Sequence, residues 1–155
     1  MSNRKVVLGL GNLLMGDEGF GIHAIEYLKR SMPSDSTFEF IDGGVLGLNL
    51  LPLVLDCSHL LVIDVVEGNQ PAGAIIEVSK ERILAPTEMK LSEHQIGFQE
   101  VLGVVNFHSS LPKFIHTIGV QPKTIAFGIE LSAEVRKGFP EVINRVKATM
   151  SDWSL

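Results

Sequence analysis

Four acidic side chains and one histidine occupy positions in this sequence that could serve chemistry: Asp17, Glu18, Asp42, Asp64 and His94. The acids lie beside glycines or within apolar runs, which places them near the ends of predicted buried strands. Two carboxylates and an imidazole are ligands suited to Zn, Ni, Mn or Fe, with water or substrate completing the shell. Acids at such positions also cap helices and form turns, so each has to be weighed against that simpler role.

Asp17 and Glu18 lie in a glycine-rich segment that follows the apolar run from Val6 to Leu8. Two nucleotide-binding motifs fail here, because Leu14 takes the third glycine position of G-x-G-x-x-G and the acidic pair replaces the Lys-Ser/Thr of a phosphate loop. Two carboxylates at a helix start would also repel the phosphate that such a position attracts. On this stretch alone, helix capping and metal binding are equally good interpretations.

Asp64 lies inside the most apolar predicted strand, Leu60 to Val66. A continuous apolar run is typical of a strand covered on both faces, as in a parallel sheet. A carboxylate there is costly unless it is paired, hydrogen-bonded or bound to a metal, and no lysine or arginine is near in sequence. We therefore interpret Asp64 as functional. Asp42 ends a second predicted strand, and its alternative role is that of an Asx-type turn residue.

Composition narrows the possible classes of protein. The chain has 155 residues, 45% of them hydrophobic and 20% charged, which predicts one folded domain over residues 1–155. A net charge of −5 argues against a nucleic-acid partner. The single cysteine, Cys57, excludes an internal disulfide, fits a reducing compartment and is better suited to a core position than to nucleophilic catalysis. No signal peptide or membrane-length run is present, so we expect a cytoplasmic protein.

Alternation of strands and helices predicts an α/β fold with three layers, αβα, around a central, mostly parallel twisted sheet of about five strands. If the first and third strands are neighbours, Glu18 and Asp64 meet at the switch point of the sheet, where His94 arrives from a later loop. In the middle of the chain we predict a strand near an edge of the sheet (Ala74 to Val78), an irregular loop (Ser79 to Lys90) and a helix from about Phe98 to Val105. Toward the C-terminus we predict a last strand (Thr124 to Gly128) and a final helical region. That helical region begins at Ser132 and breaks at Gly138-Phe139-Pro140.

The segment from Gly9 to Gly21 resembles the opening signature of the hydrogenase maturation proteases. Three further blocks resemble this family in the same order: Asp42-Gly43-Gly44, Asp64 after its apolar strand, and Ser92 to Gly97 around His94. The resemblance implies an endopeptidase that removes a C-terminal extension from the precursor of a nickel-iron hydrogenase large subunit. It also implies that Glu18, Asp64 and His94 reach nickel already installed in that precursor.

With this resemblance, Glu18, Asp64, His94 and Asp42 form the candidate catalytic set, and the first three are the candidate metal ligands. We expect nickel to be carried by the precursor, no organic cofactor, no membrane partner and a monomeric enzyme. Two alternatives remain open. One is a non-enzymatic nickel-binding chaperone with the same ligands. The other is a peptidyl-tRNA-hydrolase-like enzyme, because the segment from Leu8 to Asn12 resembles the start of that family. That family needs an Asn-Pro-Gly continuation and a basic channel, whereas Leu13 and Leu14 follow Asn12 and the net charge here is −5.

Overall fold

The computed structural model describes residues 3–33, 37–44, 47–84, 90–91, 111–123 and 125–155. Its strands are β1 (Lys5–Leu10), β2 (Phe38–Gly44), β3 (His59–Glu67), β4 (Ile75–Ser79), β5 (Lys90–Leu91) and β6 (Phe114–Val120). Its helices are α1 (Phe20–Ser31), α2 (Leu51–Leu55), α3 (Lys80–Leu84) and α4 (Ala133–Trp153), with short 3₁₀ turns at Gly16–Gly19 and Gly47–Leu50. Among the described helices, none combines the length and the apolar character needed to cross a membrane.

The main sheet has the strand order β2-β1-β3-β6-β4. The first four strands of this order run parallel and β4 pairs antiparallel with β6 at one edge. This confirms the predicted mostly parallel sheet, the adjacency of the first and third strands, and the edge position of the strand near Ala74. The chain leaves β1 toward β2 on one side and returns to β3 on the other, so the switch point lies at the carboxyl ends of β1 and β3.

Two apolar layers cover the sheet, because successive side chains of each strand point to opposite faces. In β1, Val7 packs into the layer under α1 and α4, whereas Val6 and Leu8 pack into the layer with α2 and α3. The buried run of β3 divides in the same way between the two layers. The three-layer architecture therefore follows from the continuous apolar strands that the sequence displays.

The C-terminal third departs from the sequence predictions. The last strand is not Thr124 to Gly128 but Phe114–Val120. Residues 125–128 contribute only an isolated bridge between Gly128 and Met15. The prediction of a strand from Thr124 to Gly128 is wrong because the apolar side chains of Ile125 and Phe127 face solvent and do not pack into a layer of the core. The predicted loop after Ser79 begins as α3, and the predicted helix from about Phe98 to Val105 lies outside the described residues.

The final helix begins where expected and continues where a break was expected. Ser132 is its N-cap, with Oγ accepting a hydrogen bond from Val135 N at 3.3 Å. The helix runs unbroken through Pro140 to Trp153, so the predicted interruption is wrong. Proline removes one backbone hydrogen bond, but the buried apolar stripe of α4 on both sides of it holds the helix against the sheet.

Candidate functional site

Helix α1 begins directly on the carboxyl ends of two neighbouring strands. A side chain at Gly21 would collide with the carbonyl oxygens of Leu10 and Ile63, so only glycine lets the helix approach this closely. Just before the helix, Glu18 lies in the Gly16–Gly19 turn, and its carbonyl oxygen accepts a hydrogen bond from Asn12 N at 3.0 Å. The main chain of Glu18 is therefore fixed beside the end of β1.

Asp64 is fully buried near the carboxyl end of β3. Its Oδ1 accepts a hydrogen bond from Val65 N at 2.7 Å, which offsets part of the cost of removing the carboxylate from water. It follows Ile63, the last residue of β3 that pairs with β1, and lies opposite Gly119 of β6. Asp64 and the turn that carries Glu18 thus share one edge of the sheet, at its switch point.

Asp17 does not cap the following helix, so that interpretation is wrong: the N-cap of α1 is Gly19, which makes no side-chain capping bond. The Asp17 side chain is fully buried and accepts three hydrogen bonds from a segment more than 100 residues away. Lys123 N donates at 2.8 Å, Ser132 N at 2.7 Å and Ser132 Oγ at 2.9 Å. Asp17 therefore joins the glycine-rich turn to the start of α4. Nothing in the local sequence signals these distant partners.

Asp42 is exposed, and its Oδ1 accepts a hydrogen bond from Gly44 N at 2.9 Å. This contact confirms the Asx-type turn role, in which Gly44 takes a left-handed φ of 50°. Because Asp42 pairs in register with Gly9 of β1, it lies at the same edge of the sheet as Glu18 and Asp64. His94 lies outside the described residues, and among those described no three His, Cys, Asp or Glu side chains form a metal-binding cluster.

Two potential nucleophiles, Cys57 and Ser58, lie at the amino ends of the parallel strands and are poorly placed for proteolysis. Cys57 is buried, and burial raises the pKa of its thiol to about 11. Ser58 Oγ lies 2.8 Å from His59 Nδ1, but this hydroxyl also hydrogen-bonds to the Arg4 carbonyl at 3.2 Å. The His59 ring stacks on Phe114, with centroids 4.5 Å apart. Cys57 and the Ser58–His59 pair lie at the amino end of β3, away from the carboxylates. Their contacts are those of packed structural residues.

A sequence profile described as hydrogenase maturation protease matches residues 22–149. The chain belongs to the hydrogenase maturation protease family. The hydrogenase expression/formation protein HupD of Rhizobium leguminosarum bv. viciae is 33% identical over 154 residues, covering 98% of this chain and 76% of that protein. Hydrogenase 2 maturation protease of Escherichia coli strain K12 is 29% identical over 150 residues, covering 96% and 92%.

The fold of this family member matches a solved relative closely. The structure of the hydrogenase maturating endopeptidase HybD from Escherichia coli superposes with a TM-score of 0.87 at 30% sequence identity. The match covers 96% of this chain and 93% of that one. This structural match confirms the predicted α/β fold, and membership of a protease family confirms the predicted enzyme class.

Proposed function

We propose that this chain is the endopeptidase that removes a C-terminal extension from the nickel-loaded precursor of a nickel-iron hydrogenase large subunit. The observation that carries the proposal is the pair of acids at the switch point: Glu18 in the turn after β1, and buried Asp64 near the end of β3. In a family of maturation proteases, two carboxylates at this edge are better suited to reaching a metal than to attacking a peptide.

His94 completes the proposed ligand set, and the path of the described chain supports this. Strand β5 runs antiparallel to the end of β3, with Lys90 opposite Glu67 and Leu91 opposite Val66, so the direction of β5 is along β3 toward Asp64. His94 follows Leu91 by three residues, and three residues span at most about 11 Å. One imidazole and two carboxylates leave coordination positions open for ligands of the precursor, whereas a structural zinc site is closed by four protein ligands.

In the proposed reaction, Glu18, Asp64 and His94 contact nickel held by the precursor and fix the adjacent peptide bond at this edge. Water attacks the carbonyl carbon, the C–N bond breaks, and the new amino terminus takes up a proton. The carboxylates can position the water and accept its proton beside the metal. We further propose that Asp42, which is exposed on β2 beside β1, contacts the extension. Cleavage would then report that nickel has been inserted.

The proposal is tested with matched nickel-free and nickel-loaded precursors, following the mass of the large subunit. Wild type should shorten only the loaded precursor, whereas Glu18→Gln, Asp64→Asn and His94→Ala should process it at least about 100-fold more slowly, as for loss of metal-contacting groups. Glu26→Gln, an exposed acid of α1, is the control and should behave as wild type. Equal cleavage of both precursors would overturn nickel sensing, and nickel binding without cleavage would favour the chaperone.

A further inference from the structure

Five large apolar side chains are exposed on two segments at the carboxyl edge of the sheet: Leu13, Leu14, Ile125, Phe127 and Ile129. Phe127 is 85% exposed and Ile129 is 69% exposed. The other large exposed apolar residues in the described part of the chain lie on other elements. We call these five residues the apolar rim. Single exposed apolar side chains are ordinary on a protein surface, but a group concentrated on two adjoining segments is typical of an interaction site.

Main-chain hydrogen bonds hold the two segments of the rim together. Gly128 N donates to Leu14 O at 2.8 Å, and Gly16 N donates to Gly128 O at 2.8 Å, so that Met15 and Gly128 pair in parallel. Leu14, Phe127 and Ile129 are the immediate chain neighbours of this bridged pair, so their exposed side chains lie beside one another on the two bonded segments.

The rim is also anchored to the proposed site through Asp17. Lys123 and Ser132, which stand on either side of the second rim segment, both donate hydrogen bonds to this one buried carboxylate. Asp17 adjoins Glu18 in the chain, so the same short turn carries a proposed metal-contacting acid and the anchor of the rim. Burying a carboxylate is costly unless several donors satisfy it, as they do here. The exposed apolar surface is thus fixed in position relative to Glu18.

We propose that the apolar rim is the docking surface for the precursor, receiving an apolar part of its folded surface next to the nickel. The proposal rests on the proposed function, because that function supplies the occupant. The position of the apolar rim beside Glu18 indicates that its partner is the substrate. Any protein that brings nickel to Glu18 must cover the adjoining segments that carry the rim. Phe127 and Ile129 would then be buried on binding, and aromatic side chains buried at an interface dominate affinity. Apolar recognition also predicts an affinity that depends little on salt.

The test compares wild type with the double variant Phe127→Ser/Ile129→Ser. Leu55→Ser is the matched control, because Leu55 is half-exposed at the end of α2, near the amino ends of the strands. Binding to immobilised nickel-loaded precursor gives Kd, mass spectrometry gives kcat and KM, and sedimentation velocity gives the oligomeric state. We expect Kd and KM of the double variant to rise at least about tenfold, with kcat changed by less than about twofold. The thermal unfolding midpoint should stay that of wild type.

Each outcome decides the proposal. If wild type cleaves the precursor and the double variant matches it in Kd and KM, the rim proposal is overturned and the proposed function stands. If wild type binds but does not cleave, the proposed function fails, and the Kd of the double variant still decides the rim. A wild-type dimer that the substitutions dissociate, with unchanged precursor affinity, would assign the rim to self-association instead. Absence of binding by wild type would overturn both proposals.

Discussion

Ser132 donates two hydrogen bonds to Asp17, from its main-chain N–H at 2.7 Å to Oδ1 and from its Oγ at 2.9 Å to Oδ2. The same Oγ accepts a hydrogen bond from Val135 N and so caps α4. One serine thereby joins the glycine-rich turn to the C-terminal helix. Since Glu18 is the next residue after Asp17, two adjacent acids have separable tasks, one structural and one proposed to be functional.

Asp17→Asn should lower the free energy of unfolding by about 2–4 kcal/mol, because three donors face the carboxylate and an amide has only one accepting atom. Glu18→Gln should change it by less than about 0.5 kcal/mol, since this side chain is not buried in the core. Urea unfolding of both variants measures the difference, and precursor processing should be lost in Glu18→Gln. Equal destabilisation by the two substitutions would contradict this division of tasks.

The continuous strands could be predicted from the sequence because burial on both faces imposes an unambiguous apolar run. The prediction of Leu60 to Val66 falls within the observed β3, and its neighbour relation to β1 follows from the order of a doubly wound sheet. The error over Thr124 to Gly128 has the converse cause. Ile125, Ala126 and Phe127 are apolar like the residues of a core strand, but Ile125 and Phe127 are exposed to solvent. The composition of a segment does not say whether its apolar surface is covered within the chain.

The candidate site was predictable only in part. Asp64 stood out because a carboxylate in an apolar strand demands an explanation, and the structure shows it fully buried at the expected edge. The role of Asp17 could not be predicted, since its partners Lys123 and Ser132 are distant in sequence and two of the three donors are main-chain N–H groups. Main-chain donors exist at every residue except proline and leave no trace in the sequence.

Gly21→Ala should destabilise the fold by about 3 kcal/mol, because the new methyl group would meet the Leu10 and Ile63 carbonyl oxygens, which belong to the sheet and cannot move aside. Gly128→Ala is the control: the nearest atom to a Cβ there is the Ala126 carbonyl oxygen at 3.9 Å, an ordinary contact. Its unfolding midpoint should stay close to that of wild type. Thermal unfolding followed by circular dichroism checks both, and a stable Gly21→Ala protein would show that α1 can shift away from the strands.

Cys57 should be inert in the folded protein and dispensable for proteolysis. With its thiol pKa raised to about 11 by burial, only about one thiol in a thousand is ionised at pH 8. We expect a disulfide exchange reagent to modify it much more slowly in the native state than in urea. Cys57→Ala should process the loaded precursor at the wild-type rate, provided that the variant folds. Loss of processing in a folded Cys57→Ala protein would show a role for the thiol in the reaction.

His23 should make stability fall in mild acid. Its ring hydrogen-bonds to the main chain of Ile129, and Nε2 is buried with no partner among the described residues. Burial lowers the pKa of His23 below its ordinary value, and the hydrogen bond opposes this only in part.

The sign of the pH effect follows from which state binds the proton. Between the unfolded pKa of about 6.5 and the lower folded pKa, the unfolded chain binds a proton that the folded chain does not, so the stabilisation present above pH 6.5 is lost as the pH falls. His23→Gln removes this contribution, whereas His59, whose pKa is also lowered by burial, titrates in both proteins and cancels. Urea unfolding at pH 7.5 and about 5.5 should therefore show a larger loss of stability in wild type than in His23→Gln. Equal losses in the two proteins would mean that His23 takes up its proton in the folded state as readily as in the unfolded one.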